Sequence, residues 1–272
     1  MFVIPTYEPM DTESFLDNIK FDRGETFFNR AKTSLTDILN IKKFLEDRMK
    51  SGVDSKLKKL KDKQETYSTL DWSEFIHQEV PVSVGFNTNI YMLTEFLNDN
   101  VKEAFGRYVK LYGNIDKELN KFIGDKEHRL RKLTFSNTEK EDKYVESITK
   151  DFNSLMNFKT HGLYVASIKD LVINNDGYND TVDSCYTLTS TIDETEYEKF
   201  VEMNRKLDMK LKVVYELLHV EEVTYTKEAL KELSDNINTI ASFSTMMGKM
   251  ILATYESSFI LFNIEKVLKE YE

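Results

Sequence analysis

Cysteine occurs once in this 272-residue chain, at Cys185. A lone thiol excludes an internal disulfide framework and any multi-cysteine zinc or iron–sulfur site, and it fits a reducing compartment. Proline is nearly as scarce: Pro5, Pro9 and Pro81 are the whole complement, so residues 82–272 contain none. An interior proline costs a helix about 3 kcal/mol through a lost backbone bond and a ring clash, so this tract permits long helices. The nine glycines are scattered singly, which leaves no phosphate-cradling glycine loop. Neither a Gly-x-Ser-x-Gly elbow nor a His-Glu-x-x-His zinc helix is present. Arginine is outnumbered by lysine 7 to 30, the bias of an AT-rich genome, and its scarcity weakens any reading that needs bidentate recognition of phosphates or bases.

Charge of one sign is missing locally as well. Between residues 170 and 202 stand nine acids (Asp170, Asp176, Asp180, Asp183, Asp193, Glu194, Glu196, Glu198 and Glu202) against Lys199 alone, and most of the net charge of −10 resides there. So acidic a chain has no general attraction for nucleic acid, and sequence-specific binding to it is not expected. The start of the chain, Met1-Phe2-Val3-Ile4-Pro5, lacks the basic and apolar regions of a secretory signal and reads as a short apolar arm. The weakly charged stretch 241–262 is interrupted by Lys249, Glu256 and several hydroxyl residues. We read it as a buried helix, with no transmembrane segment.

What is present is helical periodicity. A short helix near 12–20 follows the arm, then a longer one at 25–50 with Phe28, Ala31, Leu35, Ile38, Leu45 and Met49 on one face and Gly52 as its stop. Residues 56–63 form a basic, helical run, and Asp71 with Glu74 reads as a capping box that opens a short helix ahead of Pro81. Val80, Val82, Val84 and Phe86 alternate, as a brief extended segment does, before a cap at Asn87 or Thr88. From Ile90 through Leu93, Leu97, Val101, Ala104, Tyr108, Leu111, Ile115, Leu119 and Phe122 runs the cleanest stripe, weakened by Gly106, Gly113 and Gly124, with Gly113-Asn114 as a candidate break. Thr138 and Glu141 form a second capping box, for a helix ended by Gly162. Thr195 with Glu198 opens a further helix, and Thr226 caps the last, whose apolar residues spread round its circumference between Ile240 and Phe262 as in a central or interface helix.

The window 163–192 stands apart. Two segments rich in β-branched and aromatic residues flank Asn174-Asn175-Asp176-Gly177, a turn signal, so the window reads either as a small hairpin or as two helical ends around an acidic loop. The expected fold is therefore mainly α, an elongated antiparallel bundle of long helices with a small β-hairpin or irregular insert near 163–192. Its organisation is an arm and short helix at 1–24 and one helical domain at 25–272, with the acidic insert at 163–194.

Four constellations carry candidate chemistry. Glu74 with His77 and Glu216 with His219 are two Glu-x-x-His pairs, the spacing that, with two further glutamates, builds the di-iron centre of ferritin-like bundles. His77 stands at a helix end beside Pro81, where a bundle-core ligand would not sit, so the preferred reading has no metal and no cofactor. Asn174 to Asp183 imitates a calcium loop but places Val172 at the first ligand position, so a solvated acidic turn is preferred. Lys56, Lys58, Lys59, Lys61 and Lys63 could meet an anionic membrane, nucleic acid or acidic partner, as could Lys121, Lys126, His128, Arg129, Arg131 and Lys132. Either patch could instead pair with the acids near Asp176, Asp180 and Asp183, within the chain or on a neighbouring copy. Cys185 has no histidine nearby in sequence and reads as a buried thiol.

These readings lead to the expectation of a non-enzymatic structural or adaptor subunit of a larger assembly or homo-oligomer, intracellular or in a virion such as a phage particle. Its contacts with protein partners are expected at Phe2, Val3 and Ile4, at the lysine run and at the acidic insert. A ferritin-like metal protein and a module binding anionic membrane or nucleic acid through the lysines are the alternatives.

Overall fold

The computed structural model of the protein describes residues 52–86, 89–124, 138–192, 194–218 and 227–272. The apolar arm with Phe2, Val3 and Ile4, and the helices expected at 12–20 and 25–50, lie outside them. The chain is mainly α. The described elements are α1 (Val53–Asp62), α2 (Gln64–Ser68), a 3-10 turn (Trp72–Glu74), β1 (Glu79–Phe86), α3 (Ile90–Gly124), α4 (Glu139–Leu155), β2 (Met156–Ser167), α5 (Ile168–Val172), α6 (Asn175–Thr191), α7 (Glu194–Leu218) and α8 (Lys227–Leu268).

Helices α3 and α8 are the frame. At 35 and 42 residues they extend about 53 and 63 Å at 1.5 Å per residue. The buried face of α3 is the 90–122 stripe, unbroken. Gly106, Gly113 and Gly124 lie on its exposed side, where a Cβ would meet nothing within 4 Å. The helix continues past them because the stripe opposite is packed, on α8, α6 and α7 among others. Asn89 caps its start, its side-chain oxygen accepting from the Met92 amide at 2.9 Å.

Helix α8 has almost no solvent face: every residue from Met246 to Ser258 is buried. It packs on α3, α6, β1, α4 and α1. Two of its hydroxyls bond backward along their own helix, Thr254 to the Met250 carbonyl at 3.1 Å and Ser258 to that of Thr254 at 3.0 Å, while the buried Ser257 hydroxyl has no hydrogen-bond partner among the described residues. One buried network crosses between helices. Tyr108 on α3 donates to the Asn204 Oδ1 of α7 at 3.1 Å and accepts from the Ser244 hydroxyl of α8 at 3.2 Å, while Asn204 donates to the Phe200 carbonyl at 2.8 Å. Phe200 and Phe243 pack round the same ring, at 5.2 and 5.9 Å between centroids.

The two strands form an antiparallel ribbon from Glu79↔Ser167 to Phe86↔Met156, with irregularities either side of Val84. Val80 and Val82 are buried. Pro81 costs the ladder nothing, because its carbonyl faces away from β2 and accepts from the Asn263 side chain of α8 at 3.0 Å. In an antiparallel strand a residue's nitrogen points the same way as its carbonyl, so the missing N–H is on the outer edge. Helix α4 stops at Leu155 and the chain enters β2, so Gly162 is a strand residue rather than a helix terminator. Local signals misled at two caps. Thr138 makes no side-chain bond to the helix backbone and contacts Asp142 instead, and Asp71 caps a 3-10 turn rather than an α-helix, accepting from the Ser73 amide at 3.0 Å.

Within 163–192, residues 163–167 complete β2 and the remainder is helical: α5 and α6 are joined by an abrupt corner. At that corner Ile173 has φ 68° and ψ −55°, and the Asn174 amide bonds to the Val172 carbonyl at 2.7 Å. This is the rarer, strained form of γ-turn, and a β-branched residue at its centre is an outlier. The Asn174 side chain caps α6 by accepting from the Gly177 amide at 2.9 Å. Gly177 is obligatory for a different reason: a Cβ there would stand 2.1 Å from the Val172 carbonyl oxygen.

Substituting Gly177→Ala should therefore destabilise the fold by about 1–3 kcal/mol, the scale of an overpacked interior. Gly113→Ala, on the open side of α3, should stabilise it by about 0.5–1 kcal/mol. Opposite shifts in the urea midpoint check the pair. Tyr108→Phe keeps the ring but strands the Asn204 and Ser244 groups. It should lower stability by about 1–3 kcal/mol in the same assay, and no change would mean that the network is not holding α3, α7 and α8 together.

Candidate interaction surface

The lysine run is helix α1, and its pattern is amphipathic. Val53, Leu57 and Leu60 are buried, which turns the lysines to the rim. Helix α1 lies against α6 and α8, and there the lysines find partners. Lys61 pairs with Asp183 of α6 at 2.8 Å and its ammonium stands over the Tyr186 ring at 5.3 Å. Lys63 meets both carboxylate oxygens of the Glu272 side chain at 3.0 Å and covers Tyr67 at 5.3 Å. Lys56 covers Phe262 of α8 at 5.6 Å. Hydrogen bonding to Asp183 and to Glu272 raises the Lys61 and Lys63 ammonium groups above their ordinary values. Lys58 and Lys59 are exposed. The basic run and the acidic insert thus meet inside one chain, at its surface.

Amide side chains continue the seam from α2 to α6. Gln64 donates to the Asn179 carbonyl at 3.0 Å, and Asn175 and Asn179 each donate to the Ser68 hydroxyl at 3.2 Å. The segment that resembles a calcium loop is this corner and helix: Asn174 spends its side chain on the cap, and Asp176, Asp180 and Asp183 lie along the exposed face of α6. The imitation was of spacing alone.

Glu74 ends the 3-10 turn, His77 follows it, and both are exposed. Glu216 is exposed near the end of α7, and His219 lies outside the described residues. Among the described residues no three His, Cys, Asp or Glu side chains come together as a metal site would require. Of the second basic cluster only Lys121 is described, paired with Glu118 at 2.7 Å; Lys126, His128, Arg129, Arg131 and Lys132 lie outside. Cys185 is buried in α6, and burial pushes its thiol up to about 12 despite a hydrogen bond with Ser258. A thiolate is the nucleophile, so a thiol held protonated in the interior is inert.

One surface feature escaped the reading of the sequence. Helix α7 buries Tyr197, Phe200, Val201, Leu207, Leu211 and Val214, yet Met209 and Val213, one turn apart on its outer side, are 49% and 39% exposed. Arg205, Lys206, Lys212 and Glu216 share that outer side. The available signal was that Met209 and Val213 fall off the 3.6-residue stripe of their helix while being as apolar as its core. No helix among the described residues is long and apolar enough to cross a membrane. Compared with protein-family models, with curated proteins and with solved structures, the chain matches none.

Treatment of the folded protein with an aromatic disulfide reagent should label Cys185 only at the rate of unfolding, and fully once denaturant is added. Rapid stoichiometric labelling of the native chain would show the thiol to be open to solvent.

Proposed function

We propose that this chain is a non-enzymatic structural or adaptor subunit that works by packing against other protein. The observation that carries the reading is the outer face of α7, where two large apolar side chains stand in solvent between cations. The exposed half of Met209 and the exposed third or more of Val213 add nothing to the fold of their own chain, and an apolar centre with a polar rim is the composition of a docking patch. Three of the lysines that could have gripped an anionic surface, Lys56, Lys61 and Lys63, are turned onto rings and carboxylates of the chain itself. That use supports a protein partner over a membrane or nucleic acid. A viral particle is one assembly of this kind, and the lysine-for-arginine bias of the chain is the feature that favours it.

The test is the native size of the protein in the cells or particles that make it. The chain should travel, through two successive separations, in a stoichiometric complex well above its own 31.9 kDa. Recovery as a free chain of that mass would overturn the reading.

A further inference from the structure

The outer face of α7 has a counterpart on the same molecule. Arg205, Lys206, Met209, Lys212, Val213 and Glu216 form one exposed stripe, about 17 Å long at 1.5 Å per residue. On α6 the exposed stripe is Asp176, Asp180, Asp183, Thr187 and Ser190, and it holds no cation. Ile173, 54% exposed, stands at its N-terminal end, held outward by the γ-turn. Asp183 is engaged by Lys61, whereas Asp176 and Asp180 make no ion pair among the described residues. Both stripes are open to solvent, so they are not satisfied by each other within one chain.

We infer that these two faces pair between copies, the α7 stripe of one chain seating the α6 stripe of the next, as one form of the assembly role proposed above. Run antiparallel, the stripes set Asp176 and Asp180 opposite Lys212 and Lys206 and bring Ile173 against Val213. The cations then exchange pairs along their own helix, such as Lys212 with Asp208 at 2.6 Å and Lys206 with Glu202 at 3.6 Å, for pairs between chains. An exposed pair along a helix, as Lys206 with Glu202 is, stabilises it by only about 0.3–0.5 kcal/mol and yields easily; Asp208 is more covered, so Lys212 exchanges its partner at a higher cost. The contact uses different surfaces on its two sides. It propagates head-to-tail into a ring or a filament unless one partner copy meets both faces at once across a two-fold axis. Two single helix faces bury less than the roughly 1,200–2,000 Å² of a standard stable interface, so the association is weak and dependent on concentration and salt.

Sedimentation of the full chain across a concentration series, at low salt and at about 0.5 M salt, tests this, since screening at the higher strength shortens the Debye length to about 4 Å. The native chain should self-associate at low salt and dissociate at high salt. Lys206→Glu with Lys212→Glu, or Asp176→Lys with Asp180→Lys, should each weaken association at least about tenfold, as opposed pairs become like charges. An equal mixture of the two double variants should restore it, with the variants alternating. All four positions are exposed, and unchanged circular dichroism confirms that the variants remain folded. A native chain that stays monomeric at every concentration overturns the proposal, as does self-association that the swaps leave unchanged or that the mixture fails to restore. Monomeric behaviour here together with a large native complex containing other proteins would remove the copy-to-copy pairing and leave the adaptor reading standing.

Discussion

A helix with almost no solvent face has to meet most of its polar groups without water, and the neighbouring helices are arranged round that requirement. Helix α8 is enclosed from Met246 to Ser258, and its backbone bonds to itself by the nature of a helix. Thr254 and Ser258 are absorbed by carbonyls one turn back. Ser244 reaches outward, to Tyr108 and through it to Asn204, as Thr239 does to Asp142 of α4. That chain of hydroxyl, phenol and amide fixes the rotation of three helices against one another, because each group is buried where an unmet partner costs more than the bond yields.

Once α8 is the axis, the remaining elements are its covering. Helix α3 covers it with a continuous stripe. Helix α1 closes over α6 and α8, using leucines beneath and lysine stems with charged tips above. The long side chains serve as packing material with a polar end, which is how a run of positive charge can sit close to an apolar surface. Strand β1 lies beside α8, with Asn263 occupying the backbone acceptor that Pro81 leaves outward.

Periodicity made the helical frame readable. The 90–122 stripe and the all-round apolar character of 240–262 are properties of helices seen from their own sequence, and both survive in the fold. The glycines of α3 misled because propensity acts per residue whereas burial of the opposite face acts along the whole helix. The 163–192 window left a hairpin and two helical ends open, and the helical ends are what the structure has past residue 167: Asn174 and Gly177 are turn residues, and here the same chemistry serves as an α6 cap and a close approach to the Val172 carbonyl. Strand pairing between 79–86 and 156–167 is a long-range event that no local signal encodes. In the candidate surface, the meeting of lysines and acids was among the readings the sequence left open. Met209 and Val213 left only the weak signal of standing off their stripe, because exposure is a property of the neighbours and they are apolar like the core.

Strands β1 and β2 bracket α3 and α4, each strand running directly into or out of one of those helices. The segment is thus a helical hairpin with its two open ends stitched together. Chain closure over so long a segment has an entropic cost that grows with the logarithm of its length, and it falls steeply once the two helices have docked and brought the strand segments near. The stitching is thus cheaper once the helices have docked than before. The ribbon acts as a tie across the hairpin, anchored in the core by Val80 and Val82.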